Sequence, residues 1–252
     1  ALADPYLLGI SAGASTGAVA VTVAGLGGGA ISLSAGAFGG ALLAFGLVAL
    51  LAYSAGGGAG LRAAGVIVLA GIAGSQLFNA LTAFLIAKSA NAEQARGIMF
   101  WLLGNLSGVR WEDVTGVVLA ALLGIAVCLL NTRILDAFTF GADSAASLGI
   151  AVRRAQALLI GTAALVTAVM VSVVGSIGFV GLVIPHAMRI VVGTRHGLLV
   201  PASALAGAVF LIGADIISRI IIPGQVLPIG VVTALVGAPV FAAILIAGRA
   251  TS

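Results

Sequence analysis

Ionisable side chains are scarce in this chain, and their spacing limits the chemistry that it can perform. The 252 residues include 11 Lys or Arg, 7 Asp or Glu and 2 His. His186 and His196 do not stand at metal-ligand spacing with carboxylates, and no Ser, His and acid set matches a catalytic motif. The only lysine, Lys88, follows no glycine-rich phosphate-binding loop. The sequence therefore predicts no enzyme, no ATPase, no metal site and no cofactor.

One acid–base pair stands inside an apolar stretch. Asp215 and Arg219 lie four residues apart in "LIGADIISRIII", which places them on one face of a helix. The spacing is consistent with a self-neutralising pair near a helix end and equally with docking of another protein. A proton relay is disfavoured, because no second carboxylate in an apolar stretch continues the path.

The elements that position these residues are predicted to be membrane-spanning helices. The chain is 62% hydrophobic and 7% charged, whereas a soluble domain carries about 25% charged residues. A span needs about 20 mostly apolar residues. We therefore predict an all-α, polytopic transmembrane helix bundle that forms one domain over residues 1–252. The predicted spans number about eight: Tyr6–Ala24, Ala35–Tyr53, Ala63–Ala87, Val114–Leu130, Gln156–Val174, Phe179–Val192, Leu198–Ile222 and Leu227–Ala247.

The basic residues indicate orientation in a membrane rather than nucleic-acid binding. Net charge is +4, but no basic run or patch interleaved with aromatic residues supports a nucleic-acid partner. Alternate loops differ in their arginine content, and the richer set is predicted to be cytoplasmic. That set holds Arg62, Arg133, Arg153, Arg154, Arg189, Arg195 and Arg249, against Lys88, Arg96, Arg110 and Arg219. The segment between Lys88 and Asp113, with Trp101 and Trp111, predicts an interfacial element on the other side.

Glycine spacing predicts close helix packing. The chain has 37 glycines, and several are four residues apart, as in Gly13–Gly17 and Gly36–Gly40. Small residues at this spacing let helix backbones approach each other in lipid.

A polar segment, residues 139–155, interrupts the apolar pattern between two predicted spans. Asp143 or Ser144 can cap a short helix, and Gly149 permits the turn that ends it. The helix is predicted to present a small apolar face formed by Ala145, Leu148 and Val152. Such a ridge with polar flanks suits docking into another protein, and the alternative is an ordinary interfacial helix.

Four stretches together resemble the FecCD family, the membrane permeases of ABC importers for ferric siderophores, haem and cobalamin. "GSIGFVGLVIPHAMRIV" (residues 175–191) and "LPIGVVTALVGAPVFAAIL" (residues 227–245) resemble its signature segments. "LADPYLLGISAGAS" (residues 2–15) and "MFWLLGNLSGVRW" (residues 99–111) resemble the family in the same order. The resemblance covers essentially the whole chain. Family members usually have ten helices, so this chain is expected to start after the second.

The resemblance implies a permease subunit that moves ferric siderophore across the bacterial cytoplasmic membrane as a multi-pass protein. Haem or cobalamin import remains an alternative, and an ion-coupled secondary transporter is the alternative of a different class. The partners implied are a second permease chain (the same or a paralogue), two ATPase subunits and an extracytoplasmic substrate-binding protein. ATP hydrolysis would belong to the ATPase subunits, and membrane lipid would surround the chain.

The resemblance also implies site residues. In the family, the polar segment docks on the ATPase, and its glycine, alanine and Leu-Gly pattern fits this chain. The implied coupling residues are Gly141, Asp143, Ser144, Ala145, Leu148 and Gly149. Arg219 matches an arginine that pairs with a glutamate of the binding protein in cobalamin permeases. A cytoplasmic gate is expected at Leu2 and in "GGGAG", at Gly58 and Ala59.

Overall fold

The structure is a computed structural model that describes residues 9–23, 25–26, 29–55, 61–89 and 91–249. Its regular elements are all helices, which confirms the predicted fold class. In chain order they are α1 (Ile10–Thr22), α2 (Leu33–Ser54), α3 (Leu61–Ser89), α4 (Ala92–Leu102), α5 (Trp111–Leu130), α6 (Thr132–Phe138), α7 (Ala142–Ser147), α8 (Val152–Val174), α9 (Val180–Val192), α10 (His196–Ile220) and α11 (Ile229–Arg249).

Eight of these helices correspond to the predicted spans. In the described ranges, five are long and apolar enough to cross a membrane: α2, most of α3, α5, α8 and α10. Three are shorter apolar helices: α1, α9 and the 229–244 part of α11. Helix α4 occupies the predicted interfacial segment and begins with a capping box, in which Asn91 and Gln94 exchange side chain–backbone hydrogen bonds of 2.8 and 3.1 Å.

Helices α1 and α2 approach each other through their backbones. A Cβ atom at Gly17 would overlap the carbonyl oxygen of Gly36, and one at Gly40 would overlap the carbonyl oxygen of Gly13. In lipid, burial from water no longer drives helices together, so close van der Waals packing of this kind holds them. The close packing predicted from the glycine spacing is therefore confirmed.

Helix α1 is also tied to the middle of α3. The Thr16 hydroxyl lies 2.8 Å from both the carbonyl oxygen of Phe78 and the hydroxyl of Thr82. At the start of α1, Gly9 lies beside Ser75, which is near the midpoint of α3. Helix α1 thus begins part-way along its neighbour and is a half-length helix.

Three chain segments meet at one end of the bundle, and we call them the backbone clasp: residues 101–105, 174–177 and 228–230. The N–H of Asn105 donates to Val174 (2.9 Å), that of Ile229 to Gly104 (3.0 Å) and that of Gly230 to Leu103 (3.0 Å). The backbones are so close that a Cβ at Gly230 would overlap the carbonyl oxygen of Leu103. Helix α8 leads from this clasp to the polar segment, about 35 Å away at 1.5 Å per residue.

Candidate coupling and docking sites

The polar segment folds into a small cluster with the helix before it and the helix after it. Ala145 of α7 is 0% exposed and packs with Ala137 of α6 and Val152 of α8. Ile150 and Phe138 cover the cluster from its sides. Because one buried alanine touches all three helices, α6, α7 and the start of α8 form a single unit.

The end of α7 is a Schellman motif, which explains why the helix has only six residues. Gly149 has φ 82°, a left-handed conformation that glycine adopts without the clash a Cβ would cause. The N–H of Gly149 donates to Ala146 (2.9 Å), and the N–H of Ile150 donates to Ala145 (3.2 Å). The prediction that Gly149 permits the terminating turn is confirmed.

Two other predictions about α7 are wrong. Its N-cap is Gly141, and no side chain caps it; Asp143 lies inside the first turn and Ser144 follows it. Leu148 does not share a face with Ala145, because α7 ends at Ser147 and the following turn leaves Leu148 72% exposed. The buried Val152 belongs to α8.

Two large apolar side chains are exposed on the polar segment, outside any span. Leu148 is one, and Phe140, in the turn between α6 and α7, is 78% exposed. Sequence reasoning missed Phe140, although an aromatic residue next to Gly141 in a polar stretch was a usable signal. Because both lie in one short stretch outside the spans, they are the candidates in this segment for contact with another protein.

A second feature missed from the sequence lies beside this cluster. Asp136 of α6 accepts a hydrogen bond from the backbone N–H of His196 (3.0 Å), and its Oδ1 is 2.7 Å from the Nδ1 of the same residue. The His196 backbone donor, then its side chain, hold the pKa of the Asp136 carboxyl below its ordinary value, with a smaller contribution from Arg195. The two residues are 60 positions apart, so no local spacing could reveal them.

At the other end of α10, Asp215 and Arg219 form the predicted ion pair. The Nε atom of Arg219 is 2.8 Å from Oδ2 of Asp215, and Nη2 is 3.2 Å from Oδ1. The arginine side chain is 46% exposed and the aspartate 25% exposed. This bidentate contact holds the guanidinium in place at the surface while leaving part of it accessible.

A cavity of about 460 Å³ lies between α1, α3 and the backbone clasp. Its polar lining comes from Ser11, Ser15, Ser75, Asn79, Thr82 and Ser176. The lining has no ionisable side chain, and the buried Ser11 hydroxyl has no hydrogen-bond partner in the described chain.

Across the ranges that the structure describes, no cluster of His, Cys, Asp or Glu could hold a metal ion. The expected gate residues Leu2, Gly58 and Ala59 lie outside the described residues.

Comparison with known proteins gives one family over nearly the whole chain. The FecCD transport family matches residues 1–247. The cobalamin import system permease protein BtuC of Halobacterium salinarum is 40% identical over 241 residues, which are 95% of this chain and 63% of that protein. An uncharacterized ABC transporter permease of Bacillus subtilis, YvrB, is 40% identical over 97% of this chain and 69% of its own length. The iron-uptake system permease FeuC of Bacillus subtilis is 34% identical over 95% of this chain and 72% of its own length.

A solved structure has the same arrangement of helices. It is an inward-facing conformation of a transporter assigned to the metal-chelate type of ABC transporter, with a TM-score of 0.84 and 29% sequence identity. The match covers 97% of this chain and 76% of that one. The chain spans slightly less than two thirds of the length of the Halobacterium relative. It is a multi-pass protein of the cytoplasmic membrane. It belongs to the FecCD transport family.

Proposed function

We propose that the chain is the permease subunit of an ATP-driven importer and that its polar segment docks on an ATPase subunit. The observation that carries this proposal is the exposure of Phe140 and Leu148 on a compact unit at the arginine-rich end of the bundle. Relatives named as import permeases support it. The arginines at this end indicate the cytoplasmic side, where ATP is available.

The polar segment has the properties of a rigid docking element. Ala145 fixes α7 to its neighbours, while Asp143 and Ser144 stay exposed on the opposite surface. A preformed element loses little conformational entropy when it binds, so apolar contacts from Phe140 and Leu148 convert efficiently into affinity. Two ATPase subunits would act on two permease chains, and ATP-driven closure of the ATPase pair would displace the polar segments.

The proposed substrate is a ferric siderophore. Relatives named for iron uptake and for cobalamin import both match, so cobalamin or haem is the alternative within the same mechanism.

At the opposite face, Arg219 is the proposed contact for a substrate-binding protein. Its guanidinium is already positioned by Asp215, so an acidic partner would complete a charge network instead of ordering a free side chain.

An ion-coupled secondary transporter is the competing class. Such proteins use ionisable side chains within the spans to bind the coupling ion. In the described part of this chain, the polar side chains that line the cavity are all hydroxyls or amides, and none is ionisable. This composition favours transport driven by a separate ATPase.

Site-directed crosslinking tests the docking proposal. In the full-length chain with Cys128→Ala, Ser144→Cys is crosslinked to single-cysteine variants of the ATPase subunit in membranes. We expect a crosslink whose yield changes with bound nucleotide. Glu93→Cys, an exposed position on α4 at the other end, is the matched control and should give none. Absence of a Ser144→Cys crosslink in every nucleotide state would refute docking at this segment.

Uptake measurements test the substrate. Cells lacking the gene receive the full-length wild-type gene or the Phe140→Ser/Leu148→Ser double variant, and uptake of labelled ferric siderophores, haem and cobalamin is followed. We expect the wild type to restore ferric siderophore uptake and the double variant to fail while present at normal level in the membrane. Restoration of cobalamin or haem uptake alone would replace the substrate assignment.

A further inference from the structure

The first turn of α10 is capped by a side chain from another helix. Its own N-cap residue, Arg195, makes no side-chain capping hydrogen bond. Instead, Oδ1 of Asp136 on α6 accepts the His196 backbone N–H at 3.0 Å. The same oxygen lies 2.7 Å from Nδ1 of His196, which must donate because a carboxylate only accepts.

This contact stabilises a helix start that is otherwise weak. The first four N–H groups of any helix lack partners within the helix. In α10, Pro201 also has no N–H to offer the carbonyl of Gly197, so one hydrogen bond of the first two turns is absent. The Asp136 carboxylate therefore supplies a connection that the local sequence of α10 does not.

On its other side, Asp136 is joined to the polar segment. The N–H of Gly141 donates to Phe138 at 3.1 Å, and Ala145 packs on Ala137, the neighbour of Asp136 in sequence. A displacement of α7 therefore moves α6 with it. Helix α10 then runs 25 residues, about 37 Å, from His196 to the end that carries Arg219.

We propose that Asp136 is a positioning residue that transmits movement of the polar segment to α10 through His196. The path runs from α7 through α6 and the Asp136–His196 contact to α10, whose far end presents the Asp215–Arg219 pair. This inference rests on the proposed function, because it assumes that an ATPase displaces α7. It assigns to one carboxylate the hydrogen-bonded link between the polar segment and α10, in addition to the packing of α6 on α10.

The ratio of substrate uptake to ATP hydrolysis tests the link in the reconstituted full-length complex. Asp136→Ala should lower uptake per ATP by roughly 2- to 30-fold, the effect of 0.5–2 kcal/mol of lost coupling, with hydrolysis nearly unchanged. Asp136→Asn keeps an oxygen that accepts both His196 hydrogen bonds and should restore most of the ratio. Arg133→Ala, an exposed position on the same helix, is the matched control.

A distance measurement tests the same link without transport activity. In a Cys128→Ala background, spin labels on Ala146→Cys of α7 and Leu198→Cys of α10 report whether the two helices move as one body. Asp136→Ala should broaden their distance distribution, whereas Asp136→Asn and Arg133→Ala should leave it narrow. If wild type shows no ATP-driven uptake but the broadening occurs, the proposed function fails and the mechanical link stands.

Two results would overturn the inference. One is an Asp136→Ala variant whose distance distribution and uptake per ATP both equal those of wild type. The other is a parallel loss of uptake, hydrolysis and folded protein, which would make Asp136 a structural cap and no more.

Discussion

The backbone clasp and the polar segment occupy opposite ends of the bundle, and glycine has a different role in each. In the clasp, Gly175 and Gly230 allow main-chain atoms of separate segments to touch, and hydrogen bonds join those segments directly. In the polar segment, Gly141 and Gly149 have open space where a Cβ would stand, with no atom other than those of their chain neighbours within 4 Å. There glycine allows backbone conformations with positive φ, and the side chains of Ala145 and Asp136 make contacts between the helices.

This difference implies different mechanical behaviour at the two ends. Backbone-to-backbone contacts cannot adjust by rotating a side chain, so the clasp should resist rearrangement. The unit around Ala145 packs on α10 through α6, and its hydrogen bonds to α10 come from the Asp136 carboxylate, which is 43% exposed and can change partners without repacking a core. Substitutions at the two ends should therefore differ in the size of their effects.

The largest effect is expected at the clasp. Gly230→Ala places a methyl group on the carbonyl oxygen of Leu103, and overpacking of this kind costs about 1–3 kcal/mol or more. We expect a clear fall in thermal midpoint and in the fraction of monodisperse protein in detergent. Gly181→Ala is the control, since Gly181 is also the second residue of a helix and has open space around it. Equal stability of the two variants would remove the contrast.

A smaller loss is expected at the turn of the polar segment. Gly149→Ala meets no neighbouring atom, so its only cost is the left-handed backbone conformation, roughly 1–2 kcal/mol. Because α7 depends on this turn, ATPase docking should weaken more than global stability falls. Gly149→Asn should recover docking, since asparagine tolerates this conformation. Pull-down of the ATPase subunit alongside thermal unfolding separates the two effects.

A charge at the clasp end should affect binding without affecting the fold. Arg219→Glu replaces a half-exposed cation and should weaken capture of the substrate-binding protein more at low salt than at high salt, because exposed pairs are screened. Affinity measured across a salt series checks this. Equal weakening at every salt concentration would instead indicate that loss of the Asp215–Arg219 pair disturbs α10.

The smallest effect concerns acid stability at the polar-segment end. The pKa of Asp136 in the folded protein lies below the ordinary value of 3.8, which applies to the unfolded chain. At pH values above 3.8 the carboxylate therefore makes its full contribution to the free energy of unfolding. This stabilisation is lost as pH falls through the lowered folded pKa. The thermal midpoint difference between wild type and Asp136→Asn should therefore shrink below pH 3.8, and a difference that widens on acidification would contradict the assignment.

Features set by neighbouring residues could be predicted from the sequence. The spans follow from runs of apolar residues, and the α1–α2 contact follows from glycines four residues apart, because both depend on local periodicity. The helix-ending turn at Gly149 was predictable because it too depends on local sequence. The exposure of Leu148 was not, because a helical-face argument assumes that the helix continues, and here the Schellman turn ends it one residue earlier.

Contacts between distant segments could not be predicted. Asp136 and His196 are 60 residues apart and lie on different helices, so only the packing of α6 near the start of α10 brings them together. The clasp likewise joins three segments whose sequences give no sign of mutual hydrogen bonding. In both places, the tertiary arrangement decides which polar groups meet.

The glycine interlock of α1 and α2 has a consequence for biosynthesis. All of its contacts fall within the stretch from Ile10 to Ser54, so the pair can form without waiting for distant parts of the chain. At about 5–20 residues per second, a ribosome needs roughly 10–40 s to add about 200 further residues. The interlocked hairpin therefore has time to assemble in the bilayer first and to serve as the surface on which α3 and α8 later settle.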